Sequence, residues 1–421
     1  MDYITETERK IPVVADVDIL VCGGGFAGVA ASVCAAKNGA KVLLLEKYGF
    51  LGGLVTAALV ITTPPLDNGI NNEIGERLRE KGVYVPCRHS GEEVEWVGLH
   101  AVDPEIVKYE LIHMVQEQGV DVLLHTYVVG AILEDSVVKG VIMENKAGRQ
   151  AVRAEMVVDT TGDADVAAFA NAPFRLVKKP MTMMFNMVGV DVDSVLAKLG
   201  NWGNLKKVVK EAINNGKLPF ELGIYPEFGA PGVHAEKLVY HDEINVWSGM
   251  LGGMDGLNPK DLTNAEFITR EHSMRLATFL KKNFPGFEKS RIECTATQVG
   301  VRATRQIIGE ASPSMGEVKT RKFVDTVAKP YAGREIRLPY GSILPQNVEN
   351  LLVAGRCMSA EEEAMGTLRL IPVCSATGQA AGTAAALAFE NEVSPRKLDI
   401  SLLQRTLMQQ DMDLGLGKTW Q

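Results

Sequence analysis

The sequence is poor in cysteine, and its cysteines lack the spacing of a metal site. Six cysteines occur among 421 residues, and none stands in a C-x-x-C pair, which argues against zinc and iron–sulfur sites. So few cysteines in so long a chain also argue against a disulfide framework and favour a reducing, cytoplasmic location. The seven histidines show no ligand spacing either, so we predict no metal site.

The chain also lacks an excess of positive charge and a hydrophobic run suited to a membrane. Its 44 basic and 52 acidic residues give a net charge of −8, which argues against a nucleic-acid partner. Residues 19–36 and 370–389 carry no charge, but they are rich in Gly, Ala, Ser and Thr rather than Leu and Ile. They therefore predict segments buried against a sheet and no membrane span.

Glycine, by contrast, is abundant, with 41 residues, and it clusters near the N-terminus between two apolar runs. Residues 17–22 predict a buried strand, Ala27–Asn38 a small-residue helix, and Lys41–Glu46 a second strand. This order is that of a βαβ unit at the head of a parallel sheet. The sequence therefore predicts an α/β fold with a Rossmann-like domain.

The later pattern predicts that this domain is discontinuous. A helix over Pro104–Gln118 and strands at 120–126, 128–134, 139–145 and 151–159 precede a stretch of polar helices, loops and alternating strands. Strong α/β character returns with a strand at 350–354 and a small-residue helix over Ala376–Phe389. We predict a cofactor domain from residues 1–173 and 295–421, and an inserted α+β substrate (cap) domain at 174–294.

The glycine cluster has the spacing of a dinucleotide-binding turn. Gly23, Gly25 and Gly28 fit G-x-G-x-x-G after a strand, and Glu46 ends the next strand. Gly23 permits the tight turn, Gly25 leaves room for a pyrophosphate, and Gly28 allows close packing of helix and strand. The helix N-terminus favours phosphate, and the Glu46 carboxylate can accept from ribose hydroxyls. These features do not distinguish FAD from NAD.

Five segments together make the chain resemble bacterial FAD-dependent oxidoreductases related to the fumarate reductase and succinate dehydrogenase flavoproteins. They occur in that family's order and span nearly the whole chain: VDILVCGGGFAGVAASVCAAKNGAKVLLLEKYGFLGG, DPEIVKYEL, VVDTTGDADVAAFANAPF, QVGVRATRQIIGE and LPYGSILPQNVENLLVAGRCMSAEEEAMGTLRLIPVCSATGQAAGTAAALA. The resemblance implies FAD, which we expect to be bound non-covalently because no histidine or cysteine stands in an obvious position for attachment.

The resemblance also implies which residues hold each part of FAD. The ADP half is assigned to Gly23, Gly25, Phe26, Ala27, Glu46 and Lys47, and the adenine to Val128 within 127–129. The route from the pyrophosphate to the isoalloxazine is assigned to Gly52, Gly53 and Thr56, and the pyrophosphate or ribitol to Thr161, Gly162 and Asp163. The ribitol and flavin are assigned to Gly355 and Arg356, and the edge of the flavin ring to Ala376 at the start of the last helix. Asp163 has an alternative role as the cap of a helix starting near Ala164.

Several charged residues are candidates for the chemistry. Arg302, Arg305 and Arg369 could clamp a substrate carboxylate or stabilise an enolate. Arg302 and Arg305 would share one face of a predicted helix, where salt bridges are the alternative role. Glu362 is a candidate proton carrier, although the family commonly has histidine there and a solvated carboxylate is the alternative. His100 is the histidine most suited to face the cap cleft.

Three functions fit these observations. The resemblance implies hydride transfer between flavin N5 and a small organic substrate at a CH–CH bond next to a carbonyl. Oxidation of a CH–OH or CH–NH centre is the second, and a non-catalytic electron-transfer flavoprotein is the third. A cap favours a small-molecule substrate. The sequence does not identify the electron acceptor or donor, and it leaves open a homo-oligomer.

Non-covalent FAD gives the first prediction. The purified protein should be yellow, and acid precipitation should release the flavin into the supernatant, where its absorbance and chromatographic mobility identify FAD. A colourless protein that cannot be reconstituted with FAD would contradict this assignment.

Overall fold

The computed structural model describes residues 11–87, 98–219 and 232–416, together with positions 2, 4, 6, 8 and 10. Its strands, in chain order, are β1 Val13–Cys22, β2 Val42–Leu45, β3 Thr62–Thr63, β4 Tyr84–Pro86, β5 His100–Val102, β6 Asp121–Leu123, β7 Tyr127–Glu134, β8 Val137–Asn145, β9 Gly148–Asp159, β10 Phe174–Leu176, β11 Met184–Val188, β12 Val233–Lys237, β13 Ile244–Ser248, β14 Arg291–Thr295, β15 Arg305–Ile307, β16 Thr326–Ala328, β17 Leu338–Pro339 and β18 Leu351–Val353. Its helices are α1 Phe26–Lys37, α2 Leu54–Ala57, α3 Ile70–Glu80, α4 Pro104–Glu117, α5 Asp165–Phe169, α6 Val192–Leu199, α7 Leu205–Asn214, α8 Pro259–Asn283, α9 Met315–Thr320, α10 Met365–Leu368, α11 Ile371–Glu390 and α12 Ile400–Gln409.

The largest sheet is the predicted parallel sheet. Its strands β6, β2, β1 and β9 pair side by side and in parallel. The first half of β9 pairs with the β7–β8 hairpin, whereas its last three residues pair in parallel with β18. Strands from the two ends of the chain therefore meet in one sheet, and the carboxyl ends of β1, β2, β9 and β18 lie at the same edge. The predicted Rossmann-like α/β fold is confirmed.

Helices α1 and α11 pack against each other so closely that only glycine fits at two positions. A Cβ on Gly378 would lie 2.1 Å from the Ala27 carbonyl oxygen, and one on Gly382 would lie 2.0 Å from that of Ala31. Both helices consist mainly of small residues and are buried on nearly all sides. Within the described residues, no helix is long and apolar enough to cross a membrane.

The start of α11 differs from the prediction. The helix begins at Ile371, five residues before the predicted Ala376, with Leu370 as its N-cap. Pro372 lies in the first turn, where proline is tolerated because its missing N–H would have no intrahelical partner. Ala376 therefore lies in the second turn, fully buried.

The inserted region forms an antiparallel sheet with the order β12–β13–β11–β14. A separate apolar core between this sheet and helices α6–α8 includes Phe185, Trp202 and Phe287. The alternating pattern over residues 237–250 predicts one strand, whereas the structure has the end of β12, a turn and β13 there. The domain limits at 173/174 and 294/295 remain a prediction.

The crowding of α1 against α11 gives a prediction about stability. Gly382→Ala should destabilise the protein by about 1–3 kcal/mol, because the new methyl group must displace a backbone carbonyl. In α9 the nearest atom to a Cβ on Gly316 is 3.9 Å away. Gly316→Ala should therefore stabilise by about 0.4–1 kcal/mol, because alanine restricts the unfolded chain more than glycine does. Urea unfolding at saturating FAD measures both changes, and the same sign for both would contradict this account.

Candidate active site

The glycine-rich turn presses the N-terminus of α1 against the ends of β1 and β9. Gly23 has a φ of +107°, and a Cβ there would lie 2.5 Å from the Thr160 carbonyl oxygen. A Cβ on Gly28 would lie 1.7 Å from the Gly23 carbonyl oxygen, so this glycine accommodates the turn itself. A Cβ on Gly25 would meet only Gly53, at 3.7 Å. Gly25 therefore faces an open space into which any larger side chain would project.

The Glu46 carboxylate holds this turn through hydrogen bonds with backbone N–H groups. The Gly24 N–H donates to Glu46 Oε2 at 2.6 Å, and the Tyr48 N–H donates to Oε1 at 2.9 Å. Burial raises the pKa of the Glu46 carboxyl, although these backbone donors act in the opposite direction. Each carboxylate oxygen has a second acceptor site. The carboxylate can thus hold the turn and still accept from a ribose hydroxyl.

The open space is a cavity of about 910 Å³ that extends from the glycine turn to the cap sheet. Most of the residues predicted to hold FAD line it. They are Gly23, Gly25, Phe26, Ala27, Glu46, Lys47, Gly52, Gly53, Thr161, Gly162, Asp163, Gly355 and Arg356.

Thr56, Val128 and Ala376 lie outside the cavity lining. The Thr56 hydroxyl donates to the Leu51 carbonyl at 2.8 Å, which holds the Gly52–Gly53 turn rather than facing the cavity. Val128 packs beside an apolar cluster near the start of β7. Ala376 does not line the cavity because α11 starts earlier than predicted, and Leu370, Ile371 and Cys374 line it instead.

Asp163 does not cap α5. Its Oδ1 pairs with Arg356 Nη2 at 2.9 Å and also accepts from the Thr304 hydroxyl. The α5 helix is anchored by Asp159, whose Oδ2 accepts from the Ala167 N–H at 3.0 Å. Burial raises the pKa of Asp159 to about 6. Because Asp159 anchors the helix, the Asp163 carboxylate is available to orient Arg356.

Arg356 provides a test of whether the cavity fits FAD. Within the described part of the chain, its buried Nη1 has no hydrogen-bond partner, although the residue lines the cavity. A buried donor without a partner is costly, and an oxygen of a bound molecule would satisfy it. Together with the open space at Gly25 and the positive end of α1, the donor set fits a dinucleotide such as FAD.

Arg302 and Arg369 lie half-buried in the same cavity. Arg302 Nη1 donates to the Pro180 carbonyl at 2.7 Å and to the Thr182 hydroxyl at 2.9 Å. Neither arginine forms an ion pair with any described residue. Burial and the neighbouring Arg369 lower the pKa of Arg302 to about 9, and burial and Arg356 lower that of Arg369 to about 10. Positive charges gathered in this way favour the binding of an anion.

The predicted helix through Arg302 and Arg305 is absent: residues 301–304 have no regular structure, and Arg305 begins β15. Pairing of β15 with β10 fixes this extended conformation. Arg305 consequently turns away from the cavity and pairs with Asp165 at 2.8 Å. Arg305 therefore forms a salt bridge, and its partner lies outside the predicted cap.

Glu362 and His100 also lie outside the cavity lining. Glu362 is exposed, and its carboxylate pairs with Lys179 at 3.1 Å, as the solvated alternative implies. His100 stacks on Tyr84 with ring centroids 4.2 Å apart, and burial lowers its pKa. Neither position favours contact with a substrate in the cavity.

Sequence reasoning missed the cap side of the cavity. Lys206, His234, Glu236 and Trp247 line it, and none was singled out by a motif. A signal did exist, because His234 and Glu236 alternate with Val233 and Ala235 in a strand pattern. Two polar residues at this spacing share one face of a strand.

Comparison with known proteins identifies the family. A family model described as FAD dependent oxidoreductase matches residues 18–337 and 329–407. The chain belongs to this family. It is an oxidoreductase with FAD as its cofactor, and the predicted cofactor and enzyme class are confirmed.

Similarity to individual proteins covers less than half of the chain in sequence and most of it in fold. The chain is 29% identical over 194 residues to digeranylgeranylglycerophospholipid reductase 1 of Methanococcoides burtonii, covering 42% of this chain and 46% of that protein. It is 27% identical over 223 residues to the probable fumarate reductase Ifc3 of Shewanella frigidimarina, covering 43% and 38%. The chain thus spans less than half the length of these curated relatives. A solved structure of a geranylgeranyl bacteriochlorophyll reductase-like protein from Thermoplasma acidophilum matches with a TM-score of 0.53 at 17% identity, over 94% of this chain and 84% of that one, which shows the shared fold.

The open space at Gly25 gives a prediction about cofactor binding. Gly25→Leu should weaken FAD binding by about ten- to a hundredfold, because the side chain would occupy space beside the helix N-terminus. The backbone there, with φ −71°, accepts any residue, so the apoprotein should still fold. Gly333→Leu is the control, since no atom lies within 4 Å of a Cβ at that site. Flavin fluorescence titration measures the affinity, and equal affinities for the two variants would contradict the assignment of this space to FAD.

Proposed function

We propose that this enzyme transfers hydride equivalents between FAD and a small anionic organic substrate, at a CH–CH bond next to a carbonyl. The observation that carries the proposal is the pair Arg302 and Arg369. Both line the cavity that contains the FAD-binding turn, and neither is neutralised by a described acidic side chain. An anionic group of the substrate would supply the missing counter-charge.

Bound FAD supplies a two-electron acceptor or donor at its N5 position. The protein must bind the substrate, exclude water and manage charge at the reacting carbon. Arg302 and Arg369 would hold the anionic group, and a guanidinium fixed in a low-dielectric cavity stabilises the negative charge that develops on an enolate. Arg356, held by Asp163, would contribute its unpaired Nη1 toward the cofactor side.

The named relatives support the choice of reaction. The names of both curated relatives reported above denote reductases, and one of them is named as a fumarate reductase. Because each match covers less than half of both chains, the substrate class is part of the proposal. The kinship with fumarate reductases that the sequence suggested belongs to it as well.

An anaerobic screen tests this function. Short saturated and 2-oxo carboxylates are offered to the oxidised enzyme, and unsaturated carboxylates to the photoreduced enzyme, while flavin absorbance is followed. We expect a carboxylate of one of these groups to change the flavin redox state, and product analysis to show a changed CH–CH bond. Oxidation at a CH–OH or CH–NH centre instead would overturn the proposed reaction while leaving the enzyme class intact.

The arginine pair gives a prediction about rate. Arg302→Lys and Arg369→Lys should each slow flavin reduction by a carboxylate substrate at least about tenfold, because lysine keeps the charge but loses the planar fork of donors. The FAD spectrum should persist in both variants. Arg305→Lys is the matched control, because Arg305 lies three residues from Arg302 but pairs with Asp165 outside the cavity. Rapid-mixing absorbance measures the rates, and normal reduction in both cavity variants would move the anion site elsewhere.

A further inference from the structure

The two faces of the cap sheet have different surroundings. Along β12, Val233 and Ala235 point into the apolar core of the cap. The alternate residues His234 and Glu236 occupy the opposite face, as the two-residue period of a strand requires. Both line the cavity. The second face of this antiparallel sheet thus brings polar side chains to the candidate active site.

His234 and Glu236 form a hydrogen-bonded pair on that face. His234 Nε2 lies 2.5 Å from Glu236 Oε1. The Glu236 side chain is 3% exposed, whereas that of His234 is 27% exposed. A buried carboxylate that contacts an accessible imidazole fixes the orientation of the ring. The arrangement is that of an acid–base histidine with a positioning carboxylate.

Trp247 connects this pair to the arginine site. Its indole lies opposite His234 in the cross-strand register of β12 and β13. The His234 ring meets the indole edge-on at a centroid distance of 5.5 Å, and the Arg302 guanidinium carbon lies 6.0 Å from the indole centroid. His234 and Arg302 therefore both pack beside the same indole.

We propose that His234 is the catalytic acid–base group that moves the substrate proton, with Glu236 as its positioning residue. This inference rests on the proposed function, which requires a proton at the carbon next to the carbonyl. In the acid direction, an imidazolium N–H bond breaks, and the electron pair of the enolate carbon forms the new C–H bond. The histidine is left neutral and regains a proton from solvent. In the base direction the same atoms move in reverse.

Other titratable groups line the cavity around the pair. Lys206 on α7, Glu266 on α8, Arg302 and Arg369 line the same cavity. The Cys87 thiol lies near Glu236, and burial, followed by the charge of that carboxylate, raises its pKa. A pH profile of a single variant therefore reports on all of these groups, so the decisive comparison is between matched variants at one pH.

Proton exchange tests the role of His234 without any change in flavin redox state. Oxidised holoenzyme is incubated with 2-oxobutyrate in D₂O, and proton NMR follows the loss of signal from the carbon next to the ketone. We expect the wild type to catalyse exchange and His234→Gln to slow it by about 10²–10⁴-fold, the usual size of general acid–base help. His241→Gln is the matched control, because His241 is 94% exposed on the turn between β12 and β13. Exchange in the wild type no faster than in His234→Gln, or equal losses in both variants, would overturn the proposal.

Chemical rescue distinguishes catalysis from structural support. Added imidazole should restore exchange in His234→Ala at least partly, because a small base can occupy the vacated space. It should leave Glu236→Gln unchanged, since that variant retains its histidine but lacks the orienting charge, and its exchange should be slowed less than in His234→Gln. FAD content and thermal unfolding should match the wild type in all variants. Loss of exchange without rescue in a folded, FAD-loaded His234→Ala would overturn the acid–base role.

The two proposals fail in different ways. Normal exchange that depends on His234, with no carboxylate changing the flavin redox state, would contradict the proposed function but leave the proton-transfer pair in place. Redox turnover of a carboxylate at equal rates in the wild type and in His234→Gln would contradict the role of His234 but leave the proposed function in place.

Discussion

The close approach of backbone to backbone around α1 is the constraint on which the rest of the structure depends. One end of the helix meets the carbonyl of its own glycine turn, and its side meets the glycines of α11. This packing brings segments from both ends of the chain to one edge of the parallel sheet, so the turns after β1, β2, β9 and β18 converge. Side chains at these contacts would separate the helices and disperse the turns that line the cavity.

Charge is distributed unevenly along that cavity. At the glycine turn, Glu46 and Asp159 accept hydrogen bonds from backbone N–H groups, so their charges are compensated locally. Toward the cap, Arg302 and Arg369 lie without acidic partners among the described residues. An environment of this kind favours elongated molecules with anionic groups at more than one point. The pyrophosphate of FAD would be the anionic group at the glycine turn, and an anionic substrate would supply the one near Arg302 and Arg369.

The cap sheet contributes polar side chains to the cavity as well as covering it. Its sheet buries one face in its own apolar core, so the opposite face is available to line a site shared with the FAD-binding fold. Trp247 and Met184 supply apolar surface there, and the polar pair on β12 supplies groups that can exchange a proton. An antiparallel sheet suits this use because alternate residues of each strand reach opposite faces.

Local patterns in the sequence were sufficient for the βαβ unit, the glycine turn and Glu46, because each depends on neighbours within a few tens of residues. They were also sufficient for the small-residue helix α11, although its first turn was missed. The role of Asp163 was not decided by sequence, because its partner Arg356 is almost two hundred residues away. The extended conformation at Arg305 likewise depends on pairing with a distant strand, which overrode the predicted helix.

The predicted catalytic residues show most clearly that local sequence does not decide which side chains meet in the folded chain. From the sequence, Arg369 and Glu362 were candidates because they lie between the Gly355–Arg356 turn and the last helix, Arg302 because of its charge, and His100 because it suited the cap cleft. In the folded chain, the two arginines line the cavity, Glu362 is exposed to solvent and His100 stacks on Tyr84. His234 and Glu236, which lie on the cap sheet, also line the cavity. Which face of a strand meets a core and which meets a cavity is decided by the elements packed against it, and that information is not contained in the local order of residues.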